Sequence, residues 1–266
     1  MASGSAAHGT VATTPPVRLF WTGGWDSTYR LLWLVLVEGR HVEPIYLVDE
    51  GRRSLHVERR TMQHLRERLA ELEPRTRALL LPTWEVSVAG LAPDPDITQA
   101  FHRILRRYAI GTQYEWIARF CRQYDVRDVE MGSEHSPHGA SLMLRDFAGE
   151  ARTPTGERTY VVLPEHLHTD VGLLFGAYRF PLIKTTKHDM AREAARLGWT
   201  SLLADTWFCH HPLRGKPCGT CNPCQGVIDE GFGWRMPRSR RALAYLHRAT
   251  IGPVKKRVKR ALARRR

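Results

Sequence analysis

The stretch VRLFWTGGWDSTYRLLWLVLV, residues 17–37, decides the fold. Val17 to Trp21 is a compact apolar run closed by Gly23 and Gly24, as expected of a buried parallel strand that ends in a tight turn. A helix is expected from Asp26 to Val37. Two glycines let backbone amides approach an anion with no Cβ in the way. The helix that starts there adds unpaired N–H groups and a partial positive charge. The hydroxyls of Thr22, Ser27 and Thr28 can add hydrogen bonds. The G-x-x-x-x-G-K-[ST] phosphate loop is absent, with neither its spacing nor its lysine. A purely structural reading also stands: the glycines make only a turn, and Asp26 or Ser27 caps the helix.

Outward from this stretch, short apolar runs alternate with helical ones. Pro44 to Val48 predicts a second strand, and Leu55 to Leu72 a helix stopped by Pro74. Ala78 to Leu81 with Trp84 to Val88 predicts a third strand region. Gln99 to Tyr124 reads as a helix or helix pair, and Val126 to Met131 as a strand closed by Gly132 and Ser133. The alternation points to an α/β fold with a doubly wound, mostly parallel sheet. In such sheets ligands sit at the carboxyl ends of the strands, where Thr22 and Gly132 fall. From Glu134 to Arg179 the text is loop chemistry around short apolar pieces. Lys187 to Leu197 is a helix ending at Gly198, and Arg238 to Arg248 a basic helix. The expected organisation is a disordered leader (1–16), an α/β domain with the glycine loop (17–200), a knuckle with a C-terminal helix (201–252) and a basic tail (253–266); the resemblance given below implies that the second of these binds ATP and the third zinc.

Composition narrows the class. The 266 residues, 42% hydrophobic, suffice for one sizeable core with a small appendage. No apolar run reaches the roughly 18 residues of a membrane span. The first residues lack the basic start and apolar stretch of a signal peptide, which makes a cytoplasmic protein the expectation. The formal charge is +13, yet the last fourteen residues, PVKKRVKRALARRR, carry eight Lys or Arg and no acid, leaving +5 on the other 252. That tail is either a solvated terminus or a contact for nucleic acid or an anionic membrane surface.

Four of the five cysteines fall within sixteen residues, as Cys209, Cys218, Cys221 and Cys224. In a reducing compartment this clustering argues for a metal rather than disulfides. Four thiolates at C-x8-C-x2-C-x2-C can close a tetrahedral zinc site; an iron–sulfur cluster is the rival. His210 and His211 read as loop or pocket residues rather than ligands, and Cys121 as a small core residue.

The loop TGGWDS resembles the S-G-G-x-D-S signature of PP-loop ATP pyrophosphatases, with Thr22 in place of the first serine. Together with the cysteine spacing and RFPLIKTTKHDMAREAARLG (residues 179–198), the chain resembles the 7-cyano-7-deazaguanine synthase family of the queuosine pathway. It departs from that family at Thr112 and Gln113, which follow Gly111 where the family has Gly-Arg-Asn. It departs again at Asp49, Glu50 and Gly51, where the family has Tyr-Gly-Gln, and in the segment from Arg145 to Arg179.

The resemblance implies an adenine nucleotide alpha-hydrolase-like fold and an ATP-dependent carbon–nitrogen ligase. A substrate carboxylate would attack the α-phosphate of ATP, and ammonia would then give an amide or nitrile. The catalytic residues implied are Asp26, Ser27 and Lys187. Thr22, Gly23, Gly24, Asp26, Ser27, Thr28 and Gly132 would hold ATP with Mg2+, and the four cysteines Zn2+. Asp26 and Lys187 also admit plain readings, as a helix cap and a solvated surface lysine. His135 and His138, just past the Gly132 strand, are candidates near the substrate. A homodimer is compatible with the resemblance. The other readings are a PP-loop enzyme that modifies or thiolates a nucleobase or tRNA, for which Cys121 is the one cysteine outside the metal set, and a non-enzymatic binding protein.

Overall fold

The computed structural model describes the backbone of residues 14–263 and the side chains of residues 14–250, so most of the expected leader and the side chains of the basic tail lie outside the described residues. Strand β1 (Val17–Phe20) leads into helix α1 (Trp25–Leu32), which continues as a π-helical turn over Trp33–Val37. Strand β2 (Val42–Val48), helix α2 (Leu55–Leu72), the short α3 (Thr76–Leu79) and strand β3 (Trp84–Ser87) complete one half. Helices α4 (Pro95–Leu105) and α5 (Gln113–Gln123) lead to β4 (Val129–Met131) and α6 (Gly139–Leu144). A hairpin, β5 (Ala148–Arg152) and β6 (Arg158–Val162), precedes α7 (Asp170–Phe175) and β7 (Tyr178–Arg179). Helices α8 (Lys187–Arg196), α9 (Thr200–Ala204), α10 (Asn222–Asp229) and α11 (Arg238–Ala263) follow.

The main sheet runs β3-β2-β1-β4-β7, and each neighbouring pair is parallel. The order reverses at β1, with β2 on one side and β4 on the other. Phe20, the last residue of β1, pairs with both Ile45 and Met131, which brings the loops after β1 and β4 together. The sheet is apolar on both faces because helices cover both. Leu31 and Leu34, Leu65 and Leu69, Met190 and Leu203 pack on one face. Ile97 and Phe101, Ile117 and Phe120, Leu174 and Phe175 pack on the other. The expected doubly wound α/β class is therefore the observed one, and no helix among the described residues is long and apolar enough to cross a membrane.

Three expectations are corrected. Ala78–Leu79 is helical rather than extended, because the Thr76 hydroxyl donates to the Glu73 carbonyl at 2.7 Å and winds the chain after Pro74; only Leu80 bridges to Val42. The segment from Glu134 to Arg179, expected as loops around short apolar pieces, carries α6, the hairpin and α7 and ends in β7, the outer strand beside β4. The basic helix expected to stop at Arg248 continues to Ala263.

A buried ion cluster fixes α1 on the sheet. Arg30 donates to both carboxylate oxygens of Glu130 on β4, at 2.6 and 2.8 Å, and to Glu38 at 2.8 Å. Burial works against the guanidinium charge, but the Glu130 hydrogen bonds outweigh it and hold the Arg30 pKa above its ordinary value. Removing one member of such a set leaves a buried charge uncompensated, which costs about 3–5 kcal/mol. Glu130→Ala is accordingly expected to lower the unfolding free energy, measured by urea titration, by that amount, and a change under about 1 kcal/mol would show that Glu38 alone satisfies Arg30.

Candidate functional site

Where the strand order reverses, a cleft of about 280 Å³ opens at the carboxyl ends of β1, β2 and β4. Its base is apolar, from Phe20, Ile45, Leu47 and Met131. The β1–α1 loop contributes Thr22, Gly24, Asp26 and Ser27, and the end of β4 contributes Gly132 and Ser133.

The loop is built for an anion. Gly24 is the N-cap of α1, and no side chain caps that helix, so its first N–H groups have no side-chain acceptor. Ser27 Oγ reaches only the Gly24 carbonyl, at a long 3.5 Å. Gly23 needs its φ of +70°, and Gly132 lies so close that a Cβ there would be 2.8 Å from the Ser27 nitrogen. Glycine at 132 is therefore what lets the two loops touch.

Behind the loop lies a charge cluster. Lys187, the first residue of α8, places Nζ 3.1 Å from both oxygens of Glu230 and 3.4 Å from Glu134. Burial opposes the ammonium charge, but the carboxylates of Asp26, Glu134 and Glu230 hold its pKa above the ordinary lysine value. For Asp26, burial first and the Glu134 carboxylate second push the carboxyl well above the usual carboxylate range, while Lys187 pulls it down. Asp26 Oδ1 is buried with no hydrogen-bond partner.

The roof comes from the segment before and within the cysteine region. Trp207 donates its backbone N–H to the Gly23 carbonyl at 2.9 Å, and Trp207, Phe208 and His210 line the cleft. Arg235 is sandwiched between Trp25 and Phe208, at 4.9 and 4.8 Å, and donates to the Thr206 carbonyl and hydroxyl. Burial lowers its pKa to about 10. At the rim Arg52 donates through one nitrogen, Nη1, to Glu58, whose carboxylate also accepts from Tyr46 and Ser54. Tyr114 and Trp116 of α5 close the far side.

The thiolate group of Cys209, Cys218, Cys221 and Cys224 comes together as the spacing predicts, with all four sulfurs within 4.8 Å of one another. The Cys209–Cys221 and Cys218–Cys224 sulfur pairs are 3.8 and 3.9 Å apart. A tetrahedron with metal–sulfur bonds of about 2.3 Å has edges of about 3.8 Å, so the four sulfurs fit one metal ion. Backbone N–H groups of Cys218, Gly219, Thr220 and Cys221 point at these sulfurs, at 3.2–3.4 Å. Donors of this kind favour thiolate charge.

The expected site residues divide. Thr22, Gly24, Asp26, Ser27 and Gly132 line the cleft. Thr28 does not: its side chain is buried and its hydroxyl accepts from the Trp21 indole at 2.9 Å. Gly23 sits under the loop, and Lys187 lies in the charge cluster rather than on the cleft wall. His135 and His138 also stay off the wall, because the chain after Ser133 turns away, with the His135 amide bonded to Thr185 and its ring against Arg145. Arg52, Glu58, Tyr114, Ser133, Glu134, Trp207, Glu230 and Arg235 were not foreseen. For the last three, the signal was their closeness in sequence to the cysteines.

Gly132→Ala is expected to cost about 1–3 kcal/mol, read as a lower denaturation midpoint, because the methyl would overlap backbone rather than a movable side chain. Gly226→Ala, in α10 with open space around it, serves as the contrast and is expected to be neutral or slightly stabilising. Equal effects at the two positions would contradict the close approach at Gly132.

A family model described as Queuosine biosynthesis protein QueC matches residues 177–232, from β7 through the cysteine region. Over 176 residues the chain is 54% identical to a 7-cyano-7-deazaguanine synthase of Erythrobacter litoralis (strain HTCC2594), covering 62% of this chain and 65% of that protein. A 7-cyano-7-deazaguanine synthase of Gloeothece citriformis (strain PCC 7424) is 39% identical over 56 residues, covering 20% of this chain and 23% of that one. The chain thus spans just under two thirds of the first relative's length. Among solved structures there is a loose likeness, at TM-score 0.38 and 12% identity, to the U34-tRNA thiolase NcsA from Methanococcus maripaludis with its [4Fe-4S] cluster, covering 88% of this chain and 71% of that one. Over the residues that they align, the family model and these relatives make the chain similar to 7-cyano-7-deazaguanine synthases.

Proposed function

We propose that the chain is an ATP-dependent carbon–nitrogen ligase that adenylates a substrate carboxylate, releases pyrophosphate and forms an amide or nitrile with ammonia. The observation that carries this reading is the uncapped start of α1, with Gly24 and Ser27 facing Gly132 and Ser133 across a cleft at the point of strand reversal. The amides there and the hydroxyls of Thr22 and Ser27 would receive the pyrophosphate as the carboxylate oxygen displaces it from the α-phosphorus. The apolar base of Phe20, Ile45 and Leu47 suits a flat base; ammonia would then displace AMP to give the amide, and a nitrile would follow when a second ATP adenylates the amide oxygen, releasing pyrophosphate, and AMP leaves with that oxygen.

Asp26, with a buried oxygen lacking a partner and its carboxyl raised, gains most from a cation that replaces its proton. Asp26 and Glu134 would hold magnesium, which would supply positive charge to the departing pyrophosphate. Lys187 acts from behind the loop, keeping Asp26 and Glu134 close enough to serve it. Arg52 uses one of its nitrogens on Glu58 and has the others for a carboxylate, the chemistry expected of the acid to be activated. The cysteine group suits zinc, because the sulfurs are too close together for a cluster that gives each thiolate its own iron. Such a site fits a cytoplasmic setting, where thiols stay reduced. The thiolation reading fares worse. Cys121 is buried in the core, and burial pushes its thiol up to about 12, which leaves no ready thiolate.

Purified protein given ATP, magnesium, ammonia and 7-carboxy-7-deazaguanine, or a panel of related carboxylates, is expected to release pyrophosphate only when a carboxylate is present. ATP left intact across the panel would refute the ligase reading. Lys187→Ala should reduce that release by on the order of 100-fold, and Arg52→Gln should raise the carboxylate KM about tenfold with the ATP KM unchanged. A KM change shared by both substrates would remove Arg52 from carboxylate recognition.

Elemental analysis is expected to find one zinc per chain. Cys221→Ser or a strong chelator should lower the melting temperature by 10 °C or more, an order-of-magnitude expectation for the loss of a structural metal. Iron in place of zinc, with visible absorbance, would correct the metal assignment.

A further inference from the structure

The chain's net charge is confined to its C-terminal segment. Of 40 Lys and Arg and 27 Asp and Glu, residues 1–230 hold 27 of the cations and all 27 of the acids. The last 36 residues hold the other 13 cations and no acid, so the whole formal charge of +13 lies after Glu230. Among the described residues, two of these cations are engaged on the body. Arg235 sits under the loop, and Arg248 pairs with Asp229. The remainder belong to α11 and the residues after it.

The start of α11 is fastened to the cysteine region. Ala244 is buried beside Cys209 and Cys224, and Gly219, at φ +85°, lies so close that a Cβ would be 2.6 Å from the Arg240 carbonyl. Gln225 donates to the Gly219 carbonyl at 2.7 Å and braces the same contact. From this base a helix of 26 residues extends about 39 Å at 1.5 Å per residue. Its described part presents large apolar side chains to solvent. Trp234, just before it, is 49% exposed, and Leu243, Tyr245 and Leu246 are 37, 54 and 60% exposed. They are four of the eleven large hydrophobics exposed among the described residues, gathered within thirteen positions. Further along the helical backbone the sequence sets Val254, Val258 and Leu262 at four-residue intervals among eight Lys and Arg from 255 to 266.

Charge alone would serve any polyanion. Exposed Leu243 and Leu246 beside the cations, with aliphatic residues recurring at helical spacing, add something that a bilayer rewards and a nucleic acid does not, since neither phosphates nor bases make much use of aliphatic surface; Trp234 and Tyr245 suit a membrane interface as well. We propose that α11 is a docking helix for an anionic membrane surface, which it meets lengthwise, and that it holds the neutral enzyme body at that surface through the cysteine region. Nothing in this inference depends on the ligase chemistry.

The test is co-sedimentation of the full chain with vesicles of phosphatidylcholine alone or with about 30% phosphatidylserine, at about 0.1 M salt. Binding to the anionic vesicles is expected to exceed that to the neutral ones by at least tenfold, and to fall steeply with added salt. Deleting residues 253–266 from the full chain removes eight cations; at about fivefold per cation near the surface, partition should fall by well over 100-fold. An unchanged melting temperature would show that the rest of the chain is still folded. Leu243→Ser with Leu246→Ser keeps every charge and is expected to reduce binding about tenfold, with the salt dependence retained. The proposal is overturned if wild type ignores anionic vesicles or binds neutral ones equally. It is also overturned if the double leucine variant binds like wild type, or if duplex RNA at equal phosphate concentration strips the protein from the vesicles.

Discussion

One ammonium group holds together parts of the molecule that the chain keeps far apart. Lys187 stands among Asp26 from the β1–α1 loop, Glu134 from beyond β4 and Glu230 from the end of α10. Three carboxylates crowded into a partly buried space repel one another, and without a cation one or more must take up protons. With Lys187 present, the loop, the end of β4 and the cysteine region can all converge on one point. The cluster remains short of positive charge, and the raised Asp26 carboxyl expresses that shortage at the edge of the cleft.

The cysteine region acts on the cleft through rigid contacts rather than through chemistry of its own. Four sulfurs gathered on one point fix the chain from Cys209 to Cys224. That fixation carries Trp207 and Phe208 over the cleft and Glu230 and Arg235 beneath it. The Trp207 amide bond to Gly23 and the Arg235 guanidinium between Trp25 and Phe208 then press this roof on the start of α1. A buried guanidinium stacked on two rings is favourable only where the surrounding packing is firm. The cysteine region thus acts on the cleft as a support for its wall.

Legibility in the sequence followed how local each feature is. The strand–glycine–helix unit at Val17 to Val37 and the four cysteines are set by neighbours within a few residues, and both emerged where their spacing placed them. The charge cluster did not, because Lys187, Glu134 and Glu230 owe their meeting to tertiary folding and leave no periodic mark. Thr28 shows the opposite error: its position beside Ser27 suggested the phosphate loop, but one step along a helix turns a side chain by about 100°, here toward Trp21 in the core. His135 and His138 failed for a similar reason, since a loop's direction after Ser133 depends on a backbone bond to Thr185, fifty residues away. Ala78 to Leu81 has strand-like composition, yet Pro74 and the Thr76 hydroxyl commit it to a turn before pairing can begin.

The bond between the Trp207 amide and the Gly23 carbonyl joins residues 184 positions apart. Synthesis proceeds from the amino end, so β1, α1 and β2 emerge long before the segment that roofs them. A nascent chain therefore carries the TGGWDS segment without its roof for most of its synthesis. The roof, the Glu230 carboxylate and the Arg235 guanidinium arrive together, within 29 residues of one another. The cleft therefore lacks its roof until synthesis has passed residue 235.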